Sequence, residues 1–208
     1  AYGVDVTIVE MLTRLVPLED EEVSTELAKA FKKRKINTLT GYKVKNIETT
    51  DVGVRVKVSG VDGEQILEAE QALMAIGFRP NVKGIGLEEV NVKLNDRGAI
   101  DINEYMATNV SVIWAIVDAT AKLMLAHVGS AQGMLCVEHI AGEQTSVLNY
   151  DMMPRATYCQ PQIASFGYTE TQATERGHHV KIGRFPFQAN GKALGLGESA
   201  GWVKIITD

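Results

Sequence analysis

The spacing of hydrophobic positions changes several times along the chain, and each change marks an element. Val4, Val6, Ile8 and Val9 in GVDVTIVE predict a strand that ends at Glu10. Glu19 to Lys35 reads as a helix: acids crowd its first turn, cations its last, and Val23, Leu27, Ala30 and Phe31 form one apolar stripe. Val52, Val54, Val56 and Val58 then alternate with Gly53, Arg55 and Lys57, the period of two of a half-exposed strand. The turn Val61-Asp62-Gly63-Glu64 returns the chain antiparallel through Gln65 to Glu70. A further apolar run, Ala72 to Ile76, predicts a buried strand that stops at Gly77.

Ala99 to Ile102 predicts a short strand. Val112 to Ile116, inside SVIWAIVDAT, predicts one buried on both faces, as in a parallel sheet covered by helices. Asp118 stands just past its carboxyl end. In open α/β sheets ligands bind in the crevice outside such strand ends, so Asp118 is either an acid that reaches a ligand or a cap for the next stretch of chain. Ser130 to Ala141 reads as a helix stopped by Gly142. Beyond Pro154 short segments punctuated by glycine and proline, with a helix at Glu170 to Arg176 and a strand at Trp202 to Thr207, predict a separate α+β part. The chain opens on a strand with no turn before it and stops at Asp208 within a sheet pattern. It is therefore expected to be the interior of a longer protein.

Composition narrows the function classes. The 208 residues carry a net charge of −5, which argues against a nucleic-acid surface, where clustered cations are needed. The run Lys32 to Lys35 complements the carboxyl end of the predicted helix. No apolar run approaches the roughly 18 residues that cross a bilayer, and no signal peptide is present, so no membrane partner and a cytoplasmic location are expected. Cys136 and Cys159 belong to no CxxC pair, and His127, His139, His178 and His179 show no chelating spacing. No metal is expected, and the cysteines read as reduced and structural.

Three features point toward nucleotides. Glu10 ends a strand, where dinucleotide-binding folds place an acid that takes both hydroxyls of the adenosine ribose and repels a 2′-phosphate; a surface glutamate leading into a loop has the same sequence. Gly77 either lets the backbone come close to a ligand or makes a plain turn. Lys122 to Gly129 connects Asp118 to a helix start, which offers unpaired N–H groups. Their order along the chain fits two nucleotide sites, and the strand, helix, antiparallel excursion and returning strand read as the second half of a nucleotide-binding α/β unit.

Several segments together resemble the dihydrolipoyl dehydrogenases, within the pyridine nucleotide-disulfide oxidoreductase family. They are VTIVEMLTRLVPLEDEEVSTELAKAFKKR, ALMAIGFRPN, the flavin motif from Thr108 through Ala115 to Asp118, MLAHVGSAQGMLCVEHIAG, and YCQPQIASFGYTETQA followed by FPFQANGKAL. The resemblance implies an α/β fold of partial, Rossmann-like FAD and NAD domains followed by part of an α+β dimerisation domain. Its divisions would be 1–80 for the second half of the NAD domain, 81–152 for the returning FAD segment, and 153–208 for the interface part. It implies that Glu10 binds the NAD ribose, Val44 lies by the adenine, and Gly77 lies on the nicotinamide side. Asp118 would hold the flavin ribityl chain, and Met124, Leu125, Ala126 and His127 would line the flavin.

The implied activity is oxidation of protein-bound dihydrolipoamide, with hydride passed through FAD to NAD. The implied partners are a second copy in a homodimer and the lipoyl domains of 2-oxo acid dehydrogenase complexes, in the cytoplasm, or in the mitochondrial matrix or plastid stroma of a eukaryote. The family's redox cysteine pair and catalytic histidine are not found in this sequence, so no catalytic residue is assigned and the chain alone is expected to be inactive. Val117 stands where the family usually has glycine, which implies crowding of the flavin. Thr120 to Lys122 also departs from a connection that usually contains glycine, and Cys159 stands where threonine is common. The alternatives are a sister NAD(P)H-disulfide or mercuric reductase, against which Glu10 speaks, and a non-catalytic assembly module.

Overall fold

The computed structural model describes residues 3–208. In chain order its elements are β1 (Thr7–Glu10), α1 (Glu21–Lys33), β2 (Asn37–Thr40), β3 (Lys43–Thr50), β4 (Gly53–Gly60), β5 (Gly63–Ala69), α2 (Ala126–Ile140), β6 (Arg155–Thr157), β7 (Ile163–Ser165), α3 (Glu170–Glu175), β8 (Lys181–Pro186), α4 (Gly191–Gly195) and β9 (Trp202–Thr207). The chain is a mixed α/β protein that divides into two compact units. One runs up to Leu73 and includes Pro154–Asp208; the other is Met74–Met153.

In the first unit β1 and β2 pair in parallel, Thr7 opposite Asn37 and Glu10 opposite Thr40, so α1 is the crossover that parallel strands require. The helix forms where its local signals agree. Asp20 caps it by accepting the Glu22 N–H at 3.1 Å, Glu21 and Glu22 occupy the first turn, and Lys32 and Lys33 the last. Its end is a Schellman turn: Lys35 at φ +60 gives its N–H to the Lys32 carbonyl, and Ile36 gives its N–H to Phe31. The buried face carries Leu27 and Phe31, packed with Leu15 and Ile163. Burying each such side chain stabilises by about 1.5–3 kcal/mol.

The antiparallel sheet β3-β4-β5 follows the period of two seen in the sequence, with Val56 and Val58 buried beneath Tyr42. The Tyr42 hydroxyl donates to Asp62 and accepts from Gln65, closing the β4–β5 turn over that core. Strand β1 stops short of its expected start, and Val4 is exposed. Pairing begins only where β2 provides a partner, at Thr7.

Segments 154–208 are held to α1 by charge. Lys204 of β9 has a side chain only 5% exposed, and its Nζ lies 2.9 Å from Asp20, 2.8 Å from Glu22 and 2.6 Å from Glu170. Arg184 of β8 adds a two-pronged contact to Glu22. The loop before α1 is fastened as well: buried Glu19 accepts from Ser165 of β7 and faces Arg155 of β6. These hydrogen bonds reset the titration of the cluster. The Arg184 and Lys204 contacts bring the Glu22 carboxyl from its usual 4.5 down to about 2. Burial works to raise Asp20, yet the hydrogen bonds from Lys204, Glu170 and Glu22 outweigh it and hold its carboxyl below the usual range. Burial likewise works against the Lys204 charge, and the three carboxylates override it.

The second unit departs most from the sequence pattern. Val112–Ile116 is not a buried strand: Val112 is 80% exposed and a single bridge joins Trp114 to Ala107. Ala72–Ile76, at the junction of the units, forms no strand either, and Leu73 is 92% exposed. Ala99–Ile102 contributes one bridge, Ile100 to Leu94. The physical reason is common to all three. An apolar run states a preference for burial, whereas a strand also needs a neighbouring backbone to take its N–H and C=O groups, and among the described residues no ladder forms there. The unit is instead held by two small cores, Val82 with Val92, Ile100 and Ala115, and Met106 with Leu135 and Cys136. Helix α2 starts at Ala126, four residues before the expected Ser130, and so absorbs much of the expected loop.

The Lys204 cluster gives the fold a defined acid response. A carboxylate whose folded pKa is depressed stabilises the fold above its ordinary value, and loses that contribution as pH falls through the folded one. The midpoint of urea unfolding should therefore fall as pH drops from 4.5 toward 2, and Glu22→Gln should flatten part of that slope. At neutral pH Lys204→Met should cost about 2 kcal/mol, less than a fully buried pair because Glu22 and Glu170 are partly open to water.

Candidate functional site

Glu10 is the last residue of β1, as its sequence position implies. The strand end is zipped to the following turn: the Glu10 carbonyl accepts Tyr42 N–H at 3.1 Å, and the Leu12 carbonyl accepts Gly41 N–H at 2.8 Å. The side chain is fixed from the same stretch, because Oε1 accepts the Leu12 N–H at 2.7 Å. One carboxylate oxygen thus orients the group. Val44 lies on β3 opposite Val58, two residues beyond the Tyr42 that bonds to Glu10. These two candidates share one region of the first unit.

The remaining candidates belong to the second unit. Gly77 is exposed at φ +134, and a β-carbon built on it would meet nothing within 4 Å. It follows an exposed segment outside any strand, so its backbone conformation, not a crowded neighbour, is what favours glycine. Asp118 is exposed within a 3-10 turn, Val117–Thr120, and not at the mouth of a strand. The turn is preceded by extended Ile116, which makes no side-chain cap, and it is closed at its far end by the Ala121 N–H on the Asp118 carbonyl.

Met124 and Leu125 are half-buried, and Ala126 and His127 begin α2 with exposed side chains. Leu125 is the N-cap and has no side-chain acceptor, so the first-turn amides are not capped from it. Asp118 and this helix start are joined through Gln132. That glutamine is fully buried, accepts the Val117 N–H at 2.7 Å, and donates to the Tyr150 hydroxyl at 2.9 Å. Thr120, also buried, donates its hydroxyl to the Val117 carbonyl at 2.8 Å, and Lys122 lies over the Tyr150 ring. Both peptide groups of Val117 are therefore tied down.

Sequence reasoning passed over Gln132 and read Thr120 only as part of a departure from the family's glycine-containing connection. The signal for Gln132 was present: it is the one polar side chain in the buried stripe Val128, Gly129, Gln132, Leu135 and Cys136 of α2. Cys136 and Cys159 are both free, and burial raises each thiol above its ordinary value. Cys159 gives its Sγ–H to the Pro161 carbonyl. Neither is poised as a nucleophile. Among the described residues no group of three or more His, Cys, Asp or Glu could hold a metal ion, and no helix is long and apolar enough to cross a membrane.

Comparison with known proteins gives these geometries a context. Residues 1–133 match the pyridine nucleotide-disulphide oxidoreductase family, and residues 153–208 match its dimerisation domain. Over 208 residues the chain is 54% identical to a dihydrolipoyl dehydrogenase of Mycobacterium leprae, covering all of this chain and 44% of that one. It is 42% identical to one from Bacillus subtilis, again covering all of this chain and 44% of the relative. The chain thus spans less than half the length of these curated relatives. Among solved structures, LpdA of Mycobacterium tuberculosis superposes with a TM-score of 0.87 at 28% identity, over 98% of this chain and 44% of that one. The flavoprotein disulfide reductase RclA of Escherichia coli, at 23% identity and a TM-score of 0.88, covers all of this chain and 47% of its own, and shares the fold.

The Gln132 network is testable by itself. Gln132→Leu removes the acceptor of the Val117 N–H and the donor to Tyr150 together. Leaving such groups unpaired should cost about 1–3 kcal/mol, read as a lower midpoint of chemical unfolding.

Proposed function

Because the chain belongs to the pyridine nucleotide-disulphide oxidoreductase family, we propose that it is part of a dihydrolipoyl dehydrogenase that uses NAD. In such an enzyme FAD, when bound, takes the electrons of a dithiol and hands them on as hydride to the nicotinamide. The observation that carries the reading is Glu10: a strand-end carboxylate oriented by the Leu12 N–H. An acid in that position accepts from both ribose hydroxyls of an adenosine and repels a 2′-phosphate. These residues suit NAD. Val44 would lie beside the adenine and Gly77 beside the nicotinamide.

On the flavin side, Asp118 would take the ribityl hydroxyls, and Met124, Leu125, Ala126 and His127 would lie against the ring system. Val117 does not suit that group, since it puts a branched side chain beside Asp118, and no electron-transfer step is assigned to residues of this chain. The domains would divide at 1–80 for NAD, 81–152 for FAD and 153–208 for the subunit interface. The family's dimerisation domain supports a homodimer as the working assembly. The substrate would be the dihydrolipoyl group carried by lipoyl domains of 2-oxo acid dehydrogenase complexes.

Two measurements test this. Titrated by its fluorescence into the 208-residue chain, NADH should bind at least about tenfold more tightly than NADPH, and Glu10→Ala should shrink that ratio toward unity. Tighter binding of NADPH by the unaltered chain would overturn the proposal. The chain alone should form no NADH from dihydrolipoamide, because its two cysteines are free and belong to no redox pair.

A further inference from the structure

Two valines of the second unit, Val112 and Val117, have a left-handed backbone, and of the two only Val117 is partly buried. Val117 has φ +55, in the left-handed region that a β-branched residue rarely takes and glycine takes freely. It is held there from both sides, by Gln132 on its N–H and Thr120 on its carbonyl. The side chain lands on α2. A β-carbon built on Gly129 would overlap the Cγ2 of Val117, with Val117 Cβ at 3.3 Å and Cγ1 at 3.5 Å. Gly129 is buried and lies inside a helix, where alanine would ordinarily be preferred. The two residues divide one space: a side chain where the backbone suits glycine, and glycine where the helix suits a side chain.

We propose that Val117 is the residue that keeps flavin from this chain, and that it forms a reciprocal size pair with Gly129. The inference rests on reading Asp118 and residues 124–127 as flavin contacts. Val117 directly precedes Asp118, and its methyl groups stand over α2 within one turn of Ala126 and His127. Hydrocarbon from the residue next to the acid thus covers the first turn of α2 at Gly129. A nucleotide cofactor would have to displace a side chain seated against backbone, which cannot give way as a flexible side-chain tip can.

The test compares the purified chain with Val117→Gly, Val117→Ala, Gly129→Ala and the double variant Val117→Gly with Gly129→Ala, measuring Tm and FAD affinity by flavin fluorescence. Val117→Gly should raise Tm by about 2–4 °C and tighten FAD binding by at least about tenfold. Val117→Ala, which keeps the β-carbon and loses both methyl groups, should tighten FAD binding with a smaller gain in Tm. Gly129→Ala should lower Tm when Val117 is present and raise or preserve it when residue 117 is glycine. Equal FAD affinity in the unaltered, Val117→Ala and Val117→Gly chains overturns the obstruction. An equal effect of Gly129→Ala in both backgrounds overturns the size pair. Coenzyme preference is read at Glu10 in the other unit, so its failure sinks the functional proposal while these comparisons still decide Val117.

Discussion

The first unit depends on one nearly dehydrated ammonium group. Lys204 joins three carboxylates from two distant parts of the chain, Asp20 and Glu22 at the start of α1 and Glu170 at the start of α3. A charge so poorly solvated is tolerable only with close partners, so the members of the cluster depend on one another: each carboxylate offsets part of the cost of burying the lysine, and the lysine keeps the carboxylates together. Its effect reaches the candidate site through α1. That helix follows β1, packs on Ile163 of β7, and sets the crossover that holds β1 and β2 side by side. Glu10 is where that parallel pair ends.

The second unit is built on a different principle. Gln132, which accepts the Val117 N–H and donates to Tyr150, and Thr120, which donates to the Val117 carbonyl, fix a turn whose backbone several residues hold at positive φ, Val117, Ala121 and Leu123 among them. Buried neutral networks of this kind are costly to leave half-made, and so specify one conformation. The conformation they specify is one for glycine. Val117 and Gly129 are coupled for that reason: packing resolves at one position the crowding that backbone geometry creates at the other.

What could be read from the sequence was local. Helix α1 was legible because its charged ends and its apolar stripe lie close together and agree; the β4–β5 hairpin was legible because its period and its turn did. The strand-end position of Glu10 came from the same kind of pattern. The runs at 72–76, 99–102 and 112–116 misled because hydrophobicity encodes a preference for burial without naming a partner strand. Lys204 could not have been singled out, since its partners lie 182 and 184 positions away in Glu22 and Asp20, and only the fold brings them together. Gln132 was half legible, a polar side chain in an apolar stripe whose purpose appears only when the Val117 N–H is seen to need an acceptor.

The proposed function turns on whether the oriented carboxylate at the end of β1 recognises the adenosine ribose of NAD. The direct measurement is a two-dimensional amide NMR titration of isotopically labelled chain with NAD. Recognition there requires that the Leu12 and Tyr42 N–H resonances, which report the Glu10 side chain and carbonyl, and that of nearby Val44, move together along one saturating curve. Resonances that saturate elsewhere while these three stay fixed would contradict it.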